Sequence, residues 1–409
     1  MNQDYRVLRE LGRQVAEIAA LPIQQEKKDL WTANNDLHPI RPMVYIDQLP
    51  WHELNTTEEM HLACEDPFLQ TVEHSLRALL YRWRHFPCDM VVENRLDLPM
   101  TVQGLDYGIH IREEIRQTDA ENDIVSHKYE DQLSNEDGLN ALHPDRITVD
   151  RALDARHLDV CSEIFDGILP VRLSGVQIHA GLWDRIAQMR PAESILWDIA
   201  DRPEFIEQIV QKFVELTNAA IDQCEELGLL DPQLQYVHCT GAYTDQLPTD
   251  GMEDGRAKAR NVWAFGMAQL LSTVSPAMHE EFEIDLVRPL YERFGLLYYG
   301  CCEPLQDKID IIRKIRNVRK ISVSPWAGIE KSADQIAGDY VFSCKSNPAF
   351  ICAGDFSEDS IRKQLSAARE ACLRTGTPLE IILKDVSSLR GHLDYVDRWE
   401  RIAMEYALK

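Results

Sequence analysis

The sequence predicts an α/β protein, a closed (β/α)8 TIM barrel in one domain that spans residues 1–409. Eight short runs dense in Val, Ile, Leu and Tyr lie near residues 42, 88, 170, 235, 296, 319, 340 and 379. Helical patterns separate the runs, as in a parallel sheet covered on both faces. A doubly wound open sheet is the alternative, but no Gly-rich phosphate loop follows any run.

The elements follow in this order along the chain. Residues 1–40 form a predicted helical extension, RPMVYIDQLP and PCDMVVENRLDLP are the first two strands, and residues 101–150 are a polar, irregular insertion in which DIVSHKYED could pair antiparallel. PVRLSGVQI precedes the helix PEFIEQIVQKFVELTNAAIDQCEELG, and LQYVHCTGAY is the fourth strand. The last four strands are GLLYYGCCEP, VRKISVSPWAG, YVFSCKSNP and PLEIILKDVSS. Alternation of apolar strands with amphipathic helices favours a barrel.

Charge and composition exclude several classes of function. The formal net charge of -25 repels nucleic acid phosphates and anionic lipid. No run reaches the roughly 20 apolar residues of a membrane span, and the charged N-terminus does not resemble a signal peptide, so we expect a cytoplasmic protein. The chain has 10 cysteines, and in that compartment most are expected to be small core residues rather than disulfides.

Polar and sulfur-containing residues follow the predicted strands. Functional residues of a barrel gather where strands run into the following loops. The residues expected at this rim are Asp47, Glu93, Arg95, His179, His238, Cys301, Cys302, Glu303, Trp326, Cys344, Lys345, Asn347 and Lys384. Since strands leave an apolar core there, part of this set is expected to fill the rim without a chemical role.

Zinc takes its ligands from thiolate, imidazole and carboxylate groups, and a catalytic zinc leaves one position open. We predict such a site from His238, Cys301, Cys302, Glu303 and Cys344. Adjacent strand residues face opposite sides, so both Cys301 and Cys302 reach the rim only if the chain turns or bulges near Pro304. Core packing of these residues is one alternative, and a nucleophilic cysteine with His238 as its base is another.

The other rim residues are assigned by their charge and hydrogen-bonding capacity. Lys345 and Lys384 end two strands, where each could bind a carboxylate, form a Schiff base or pair with an acid such as Asp385. We assign catalysis to Asp47, Glu93, His238 and Lys345. We assign substrate binding to Arg95, His179, Trp326, Asn347 and Lys384.

Four longer segments have residue patterns that are found together in one superfamily of proteins. WAFGMAQLLSTVSPAMHEEFEIDLVRPLYERF has an aromatic-rich strand end before a Ser-Pro-x-Met-x-x-Glu-Phe helix, and GLLYYGCCEPLQDKI ends a strand in two cysteines. The other two are CKSNPAFICAGDFSEDSIRKQL and ILWDIADRPEFIEQIVQKF. In these segments the chain resembles the uroporphyrinogen decarboxylase-like superfamily of barrels. That superfamily contains cobalamin-dependent methyltransferases and is similar to cobalamin-independent methionine synthase.

The resemblance covers residues 165–405 and implies a barrel, a homodimer and, in the methyltransferase branch, zinc bound by a His-x-Cys pair and a cysteine near the last strand. Cys301 or Cys302 matches the cysteine of the pair, but Tyr299 or Gly300 stands in place of the histidine, and the last strand ends in KDVSS. The first strand, YIDQLPWHEL, has Asp47 where uroporphyrinogen decarboxylases hold propionates with arginines. That decarboxylase activity is therefore rejected.

We predict a methyltransferase in which zinc assists methyl transfer between a small methylated substrate or thiol and a corrinoid protein. The alternative is a metal-free, decarboxylase-like carboxy-lyase for a small carboxylated substrate, with Asp47 or Glu93 as the acid and His238 as the proton donor. A barrel that only binds a ligand is a third possibility. The expected cofactors are zinc and a corrinoid carried by the partner protein.

Overall fold

The computed structural model describes residues 2–117, 125–252 and 255–409. Its strands are β1 (Met43–Ile46), β2 (Leu96–Pro99), β3 (Val102–Gln103), β4 (Glu113–Arg116), β5 (Ser126–Tyr129), β6 (Thr148–Val149), β7 (Val171–Ser174), β8 (Tyr236–Val237), β9 (Thr240–Gly241), β10 (Trp263–Gly266), β11 (Leu296–Tyr299), β12 (Val318–Val323), β13 (Val341–Lys345) and β14 (Leu379–Leu383). The predicted α/β class is confirmed.

Helices separate most of the strands. They are α1 (Gln3–Ala19), α2 (Pro22–Asn35), α3 (Trp51–Leu54), α4 (Pro67–His85), α5 (Glu136–Asn140), α6 (Arg151–Ile164), α7 (Leu182–Met189), α8 (Ala192–Asp201), α9 (Pro203–Leu227), α10 (Pro276–His279), α11 (Asp285–Tyr291), α12 (Ile309–Ile312), α13 (Ile329–Ile336), α14 (Ala349–Cys352), α15 (Glu358–Thr375) and α16 (Asp394–Leu408). None of the helices in the described part of the chain is both long and apolar enough to cross a membrane.

Six strands form one parallel sheet in the order β1, β14, β13, β12, β11, β10. Every residue of β10, β11, β13 and β14 is buried, as expected for parallel strands covered on both faces. One face packs on the helices in the largest hydrophobic cluster. Residues of the other face, including Phe265, Tyr298 and Ile382, pack together in a smaller interior cluster.

The remaining two parallel strands, β2 and β7, pair with each other. Near β2, the Asp89 N–H donates to the Val44 carbonyl of β1 at 3.1 Å. After β7, the Ala180 N–H donates to the Phe265 carbonyl of β10 at 2.8 Å. These two contacts place the pair between the ends of the six-stranded sheet, although continuous strand pairing runs through six strands only. A fully closed barrel therefore stays a prediction.

The predicted fourth strand near residue 235 is wrong. That segment forms the antiparallel hairpin of β8 and β9, with His238 and Cys239 in its turn. The strand that joins the parallel sheet instead is β10, which pairs with β11. Most of the hairpin is buried: Val237 and Cys239 are both 0% exposed and belong to the interior cluster, whereas Tyr236, at its start, is 50% exposed.

Gly241, at the end of the hairpin, lies against Trp31 of α2. A Cβ at this position would lie 2.7 Å from Cδ2 of the Trp31 ring. The ring is 1% exposed, and its N–H donates to the Asp89 carbonyl at 2.8 Å, so it cannot move aside freely. We expect Gly241→Ala to lower the free energy of unfolding by about 1–3 kcal/mol in urea titrations. Gly354→Ala, where a Cβ meets nothing within 4 Å, is the matched control, and an equal loss in both variants would contradict this.

Residues 1–40 and 101–150, the predicted extension and insertion, contain helices and short antiparallel strand pairs respectively. Helices α1 and α2 lie in residues 1–40, and α1 packs on α4 through Leu8, Leu11 and Val15. Within 101–150, β3 pairs antiparallel with β6, and β4 with β5. The antiparallel excursion predicted from DIVSHKYED is thus confirmed, apart from its first two residues, which lie outside the described residues.

Candidate functional site

Four reactive side chains meet where the hairpin turn reaches the carboxyl ends of β11 and β14. His238 lies in the turn, Cys301 and Cys302 follow β11, and Lys384 follows β14. The Lys384 Nζ lies 3.1 Å from the Cys301 Sγ and 3.2 Å from the His238 Nε2. The Cys301 Sγ lies 3.7 Å from the same imidazole nitrogen and 3.6 Å from the Cys302 Sγ. We call these four residues the thiol cluster.

A turn at Gly300 allows both cysteines to join the cluster. Gly300 follows β11 with φ at +92°, in the region that favours glycine. A Cβ there would lie 2.5 Å from the Leu305 side chain. The sequence predicted that the chain must turn for adjacent thiols to share a site, and it does so just before Cys301 rather than at Pro304.

Glu303 stabilises this turn rather than facing the cluster as a free ligand. Its Oε2 accepts the Cys301 N–H at 2.8 Å, and its Oε1 accepts the Ala268 N–H at 3.2 Å. The side chain is 1% exposed, and burial raises its pKa. Both carboxylate oxygens are therefore used to hold the loops after β10 and β11 together.

Within the cluster, the two thiols have opposite pKa shifts. A hydrogen bond with Cys301 lowers the pKa of Cys302, with help from the charge of Lys384 against the opposing effect of burial. The same hydrogen bond, together with burial, raises the pKa of Cys301. Since Cys302 is half-buried and Cys301 is 6% exposed, the thiolate that forms first is the more accessible one.

The basic groups of the cluster are also perturbed. Burial lowers the pKa of Lys384, but the neighbouring Cys239, Cys301 and Asp385 outweigh it, so the net shift is upward and the side chain is an ammonium. Asp385 Oδ2 lies 3.2 Å from the Lys384 Nζ and 3.8 Å from the Cys302 Sγ. Burial lowers the pKa of His238, whose ring stacks on Phe265 at a centroid distance of 3.8 Å. The imidazole is therefore neutral at neutral pH.

Cys344 does not reach the cluster, contrary to the predicted ligand set. Its neighbours in β13, Ser343 and Lys345, both contact Tyr298 in the interior. Because strand residues alternate, Cys344 faces the helix layer, where it belongs to the same hydrophobic cluster as Cys372. Burial raises the pKa of Cys344 to about 12.

Three lysines contact successive residues of the hairpin, and we call them the lysine column. Lys384, at the rim, contacts His238, while Lys345, which is 2% exposed, lies 2.9 Å from the Cys239 Sγ. Lys320 Nζ lies 2.9 Å from the Gly241 carbonyl oxygen and 2.7 Å from the Glu380 Oε2. Lys345, predicted to be catalytic, is thus buried beneath the rim next to a second thiol.

Glu93 and Arg95 are not at the rim, contrary to the prediction. Both precede β2, which begins at Leu96, so they lie at the amino end of that strand. Glu93 accepts the Lys28 ammonium at 2.7 Å and the Tyr243 hydroxyl at 2.9 Å. Arg95 donates to Asp97 at 3.0 Å. Glu93 is therefore not available as the acid of the carboxy-lyase alternative.

The other predicted residues are at the carboxyl ends of strands, at different distances from the cluster. The His179 ring lies 6.5 Å from that of His238 between centroids, and burial lowers its pKa to about 4. Asp47 follows β1, and Trp326, after β12, is 70% exposed. Asn347 accepts the Ala349 N–H at 3.0 Å and so caps the start of α14.

Sequence reasoning missed two acids whose pKa is raised, the half-buried Asp184 and the fully buried Glu283. Asp184 accepts the Gln269 amide at 2.9 Å, and burial raises its pKa. Glu283 accepts the Tyr291 hydroxyl at 2.6 Å and the Trp183 N–H at 2.9 Å, within a π-helical turn over Glu280–Ile284. Such turns occur frequently at functional sites, but a single sequence shows no period that distinguishes them from an α-helix.

The pKa of Glu283 predicts a pH dependence of stability. Burial raises this pKa from 4.5 to about 8. A raised carboxyl pKa stabilises the fold below pH 4.5, and this stability is lost as pH rises towards 8. Burial lowers the pKa of His279 from 6.5 to about 3, which makes the stability rise with pH between these two values. Above pH 6.5 this histidine no longer opposes the effect of Glu283.

We expect the free energy of unfolding to fall between pH 6.5 and 8 in the wild type, by up to about 1.4 kcal/mol per pH unit. Glu283→Gln, which cannot ionise, is expected to show a flatter profile. Urea titrations at several pH values check this. Parallel profiles for the two proteins would contradict the raised pKa.

The cluster as it stands does not fit a zinc ion. Zinc requires three or four donor atoms around one point, with bonds of about 2.0–2.3 Å. In the part of the chain that the structure describes, Asp106, His110 and Asp145 are the one group of three such donors that all lie within 4.8 Å of one another. They are partly or fully exposed on the insertion, and each His110 nitrogen lies 3.1 Å from a carboxylate, as in an ion-paired histidine. The donor atoms of the thiol cluster do not all lie within this distance of one another, and the Lys384 ammonium contacts two of them, His238 Nε2 and Cys301 Sγ.

Comparison with known proteins gives a fold relationship. No protein-family model matches the chain, and no curated protein matches its sequence. The fold is similar to a solved "methyltransferase from Methanosarcina mazei" with a TM-score of 0.51, 11% identity, and coverage of 93% of this chain and 98% of that chain. At this identity the similarity shows that the two chains share their fold along almost their whole length.

Proposed function

We propose that the chain is a methyltransferase whose nucleophile is the Cys302 thiolate of the thiol cluster. The observation that carries this proposal is a half-buried thiol 3.6 Å from a second thiol that contacts a buried ammonium, at the carboxyl ends of parallel strands, and these neighbours lower the pKa of Cys302. Thiolates are the reactive form of cysteine, and functional residues of such folds lie at that edge. The shared fold with a methyltransferase directs the proposal to methyl transfer.

In the proposed reaction, the Cys302 sulfur attacks the methyl carbon of the donor. The sulfur–carbon bond forms as the bond between that carbon and the donor atom breaks, and the donor atom keeps the electron pair. With methylcob(III)alamin as donor, the pair stays on cobalt and gives cob(I)alamin. In the reverse direction the Cys302 sulfur is the leaving group and recovers its electron pair as a thiolate.

The neighbours of Cys302 lower its pKa and so favour the thiolate form. The Cys301 Sγ lies 3.6 Å away, and Lys384, which contacts Cys301 at 3.1 Å, supplies a positive charge, whereas the Asp385 carboxylate, 3.8 Å from the Cys302 Sγ, acts in the opposite direction. Neutral His238 accepts a hydrogen bond from Lys384 at 3.2 Å and so directs the ammonium towards the thiols. The contact with Cys301 and the nearby ammonium thus favour the thiolate, which is the nucleophilic form of cysteine.

We propose a corrinoid protein as the methyl donor or acceptor, and a small methylated compound or thiol as the other substrate. Trp326, which is 70% exposed beyond β12, is proposed to contact one of them, since exposed tryptophans are frequent in protein interfaces. Zinc stays a prediction from the sequence. Because the cluster does not fit the ion, no step of the proposed reaction depends on it.

The test is an anaerobic assay with methylcob(III)alamin and a panel of small thiols, followed by absorbance. We expect the protein to convert methylcob(III)alamin to cob(I)alamin faster than buffer does. Conversion at the same rate with and without the protein, for every thiol tried, would contradict the proposal.

A further inference from the structure

We propose that the Lys384 ammonium takes the place of a metal ion between His238 and Cys301, and that this lysine keeps the thiol cluster free of metal. Thiol, imidazole and carboxylate groups, which are the ligands that zinc prefers, are all present at this rim. A lack of suitable ligands is therefore not what distinguishes this site from a zinc centre. The inference concerns the cation of the proposed methyl-transfer site, and its test does not depend on that activity.

Three distances place the Lys384 ammonium against both potential metal ligands. The Lys384 Nζ lies 3.1 Å from the Cys301 Sγ and 3.2 Å from the His238 Nε2, and those two atoms are 3.7 Å apart. An ion bound to both would lie about 2.0–2.3 Å from each, in the space next to the Nζ. Two cations cannot share that space, because their repulsion at such a distance in a buried site is large.

The lysine is held where it is. Its side chain is 3% exposed, and the ammonium also lies 3.2 Å from the Asp385 carboxylate. Leaving the cluster would require the ammonium to give up hydrogen bonds to Cys301 and His238 inside a packed interior. A metal must therefore displace a fixed charge before it can bind.

The lysine column repeats the arrangement one layer deeper. The Lys345 Nζ lies 2.9 Å from the Cys239 Sγ, and the Tyr298 hydroxyl contacts the same ammonium. The Cys301 and Cys239 thiols thus each contact a lysine ammonium. The interior of this fold balances sulfur with lysine at two levels, and Lys384 is the member of the pair that also contacts an imidazole.

The experiment compares metal binding in four proteins: wild type, Lys384→Ala, Lys384→Arg and the exposed-site control Lys363→Ala. Each is incubated with zinc, dialysed and analysed for metal by mass spectrometry, and titrated with Co²⁺ to follow the thiolate-to-metal absorption band. We expect less than about 0.1 equivalent of zinc in the wild type, in Lys384→Arg and in Lys363→Ala. We expect Lys384→Ala to bind zinc at least about 100-fold more tightly than the wild type, because the positive charge that repels the ion is gone. The double variant Lys384→Ala with Cys301→Ala is expected to lose the bound metal.

Two results would overturn the inference. One is close to one equivalent of zinc in the wild type that Cys301→Ala removes, because the lysine would then not exclude the ion. The other is no tighter binding in Lys384→Ala than in the wild type. Far-UV circular dichroism checks the fold, and Lys384→Met, which keeps the length of the side chain without its charge, replaces the alanine variant if that variant does not fold. Methyl transfer by the wild type is measured separately, so either proposal can fail alone.

Discussion

Replacing Cys302 by alanine is expected to lower the rate of methyl transfer at least about 1,000-fold, as loss of a nucleophile does in other enzymes. The structure gives a physical reason. Cys302 is the half-buried thiol of the cluster, its pKa is lowered, and the Lys384 ammonium lies beside its neighbour Cys301. The measurement is the initial rate of cob(I)alamin formation from methylcob(III)alamin.

The matched control is Cys352→Ala. Cys352 is also a free, half-buried cysteine, but it ends α14 and its pKa is raised by burial. We expect this variant to retain the wild-type rate. A Cys302→Ala protein that is folded and loses less than about tenfold would exclude Cys302 as the nucleophile.

Replacing Lys320 by alanine is expected to lower the free energy of unfolding by about 3–5 kcal/mol. Lys320 and Glu380 are both 0% exposed, and their charged atoms lie 2.7 Å apart. The ammonium also donates to the Thr240 hydroxyl at 3.2 Å and to the Gly241 carbonyl at 2.9 Å, which ties the hairpin to β12. Without it, the Glu380 carboxylate would be left buried with no cation beside it.

Urea unfolding of three proteins measures this effect. The double variant Lys320→Met with Glu380→Leu removes both charges together and is expected to be far more stable than Lys320→Ala, because no unpaired charge remains. A loss below about 1 kcal/mol in Lys320→Ala would mean that the pair adds little. Equal losses in the single and double variants would assign the effect to packing instead.

The strands of the six-stranded sheet were largely predictable from the sequence. The runs that become β11 to β14 are short and rich in Val, Ile, Leu, Phe and Tyr, which is typical of parallel strands buried on both faces, although Lys320, Lys345 and Glu380 lie within them. The hairpin was not predictable in the same way, because LQYVHCTGAY has the composition of a strand. Its turn requires φ at +53° for His238, and the interior packing that makes this backbone conformation favourable comes from distant strands.

Small errors in the position or orientation of a strand changed the predicted site more than the predicted fold. In PCDMVVENRLDLP the apolar pair Val91 and Val92 resembles a strand end, but the strand is Leu96–Pro99. Glu93 and Arg95 therefore moved from the rim to the opposite end of the strand. Cys344 and Lys345 are adjacent in β13, so alternation allows only one of them to face the interior. The sequence shows that the two residues face opposite sides of the strand, but not which of them faces the interior.

The reactive partners were predictable only as types of residue. His238, Cys301, Cys302 and Lys384 were each expected at the rim, and the structure brings all four together. The contacts of the Lys384 ammonium with the imidazole and a thiol depend on distances below 4 Å between residues up to 146 positions apart. Local sequence patterns contain no information on such distances.

The most direct test of the account is to locate the methyl group after a single turnover. The protein is mixed anaerobically with one equivalent of methylcob(III)alamin, quenched and digested, and the peptide that contains Cys301 and Cys302 is analysed by tandem mass spectrometry. We predict one added methyl group on the Cys302 sulfur, formed together with cob(I)alamin and absent in Cys302→Ala. Formation of cob(I)alamin with no methyl group on Cys302, or at an undiminished rate in Cys302→Ala, would contradict the proposed role of the thiol cluster.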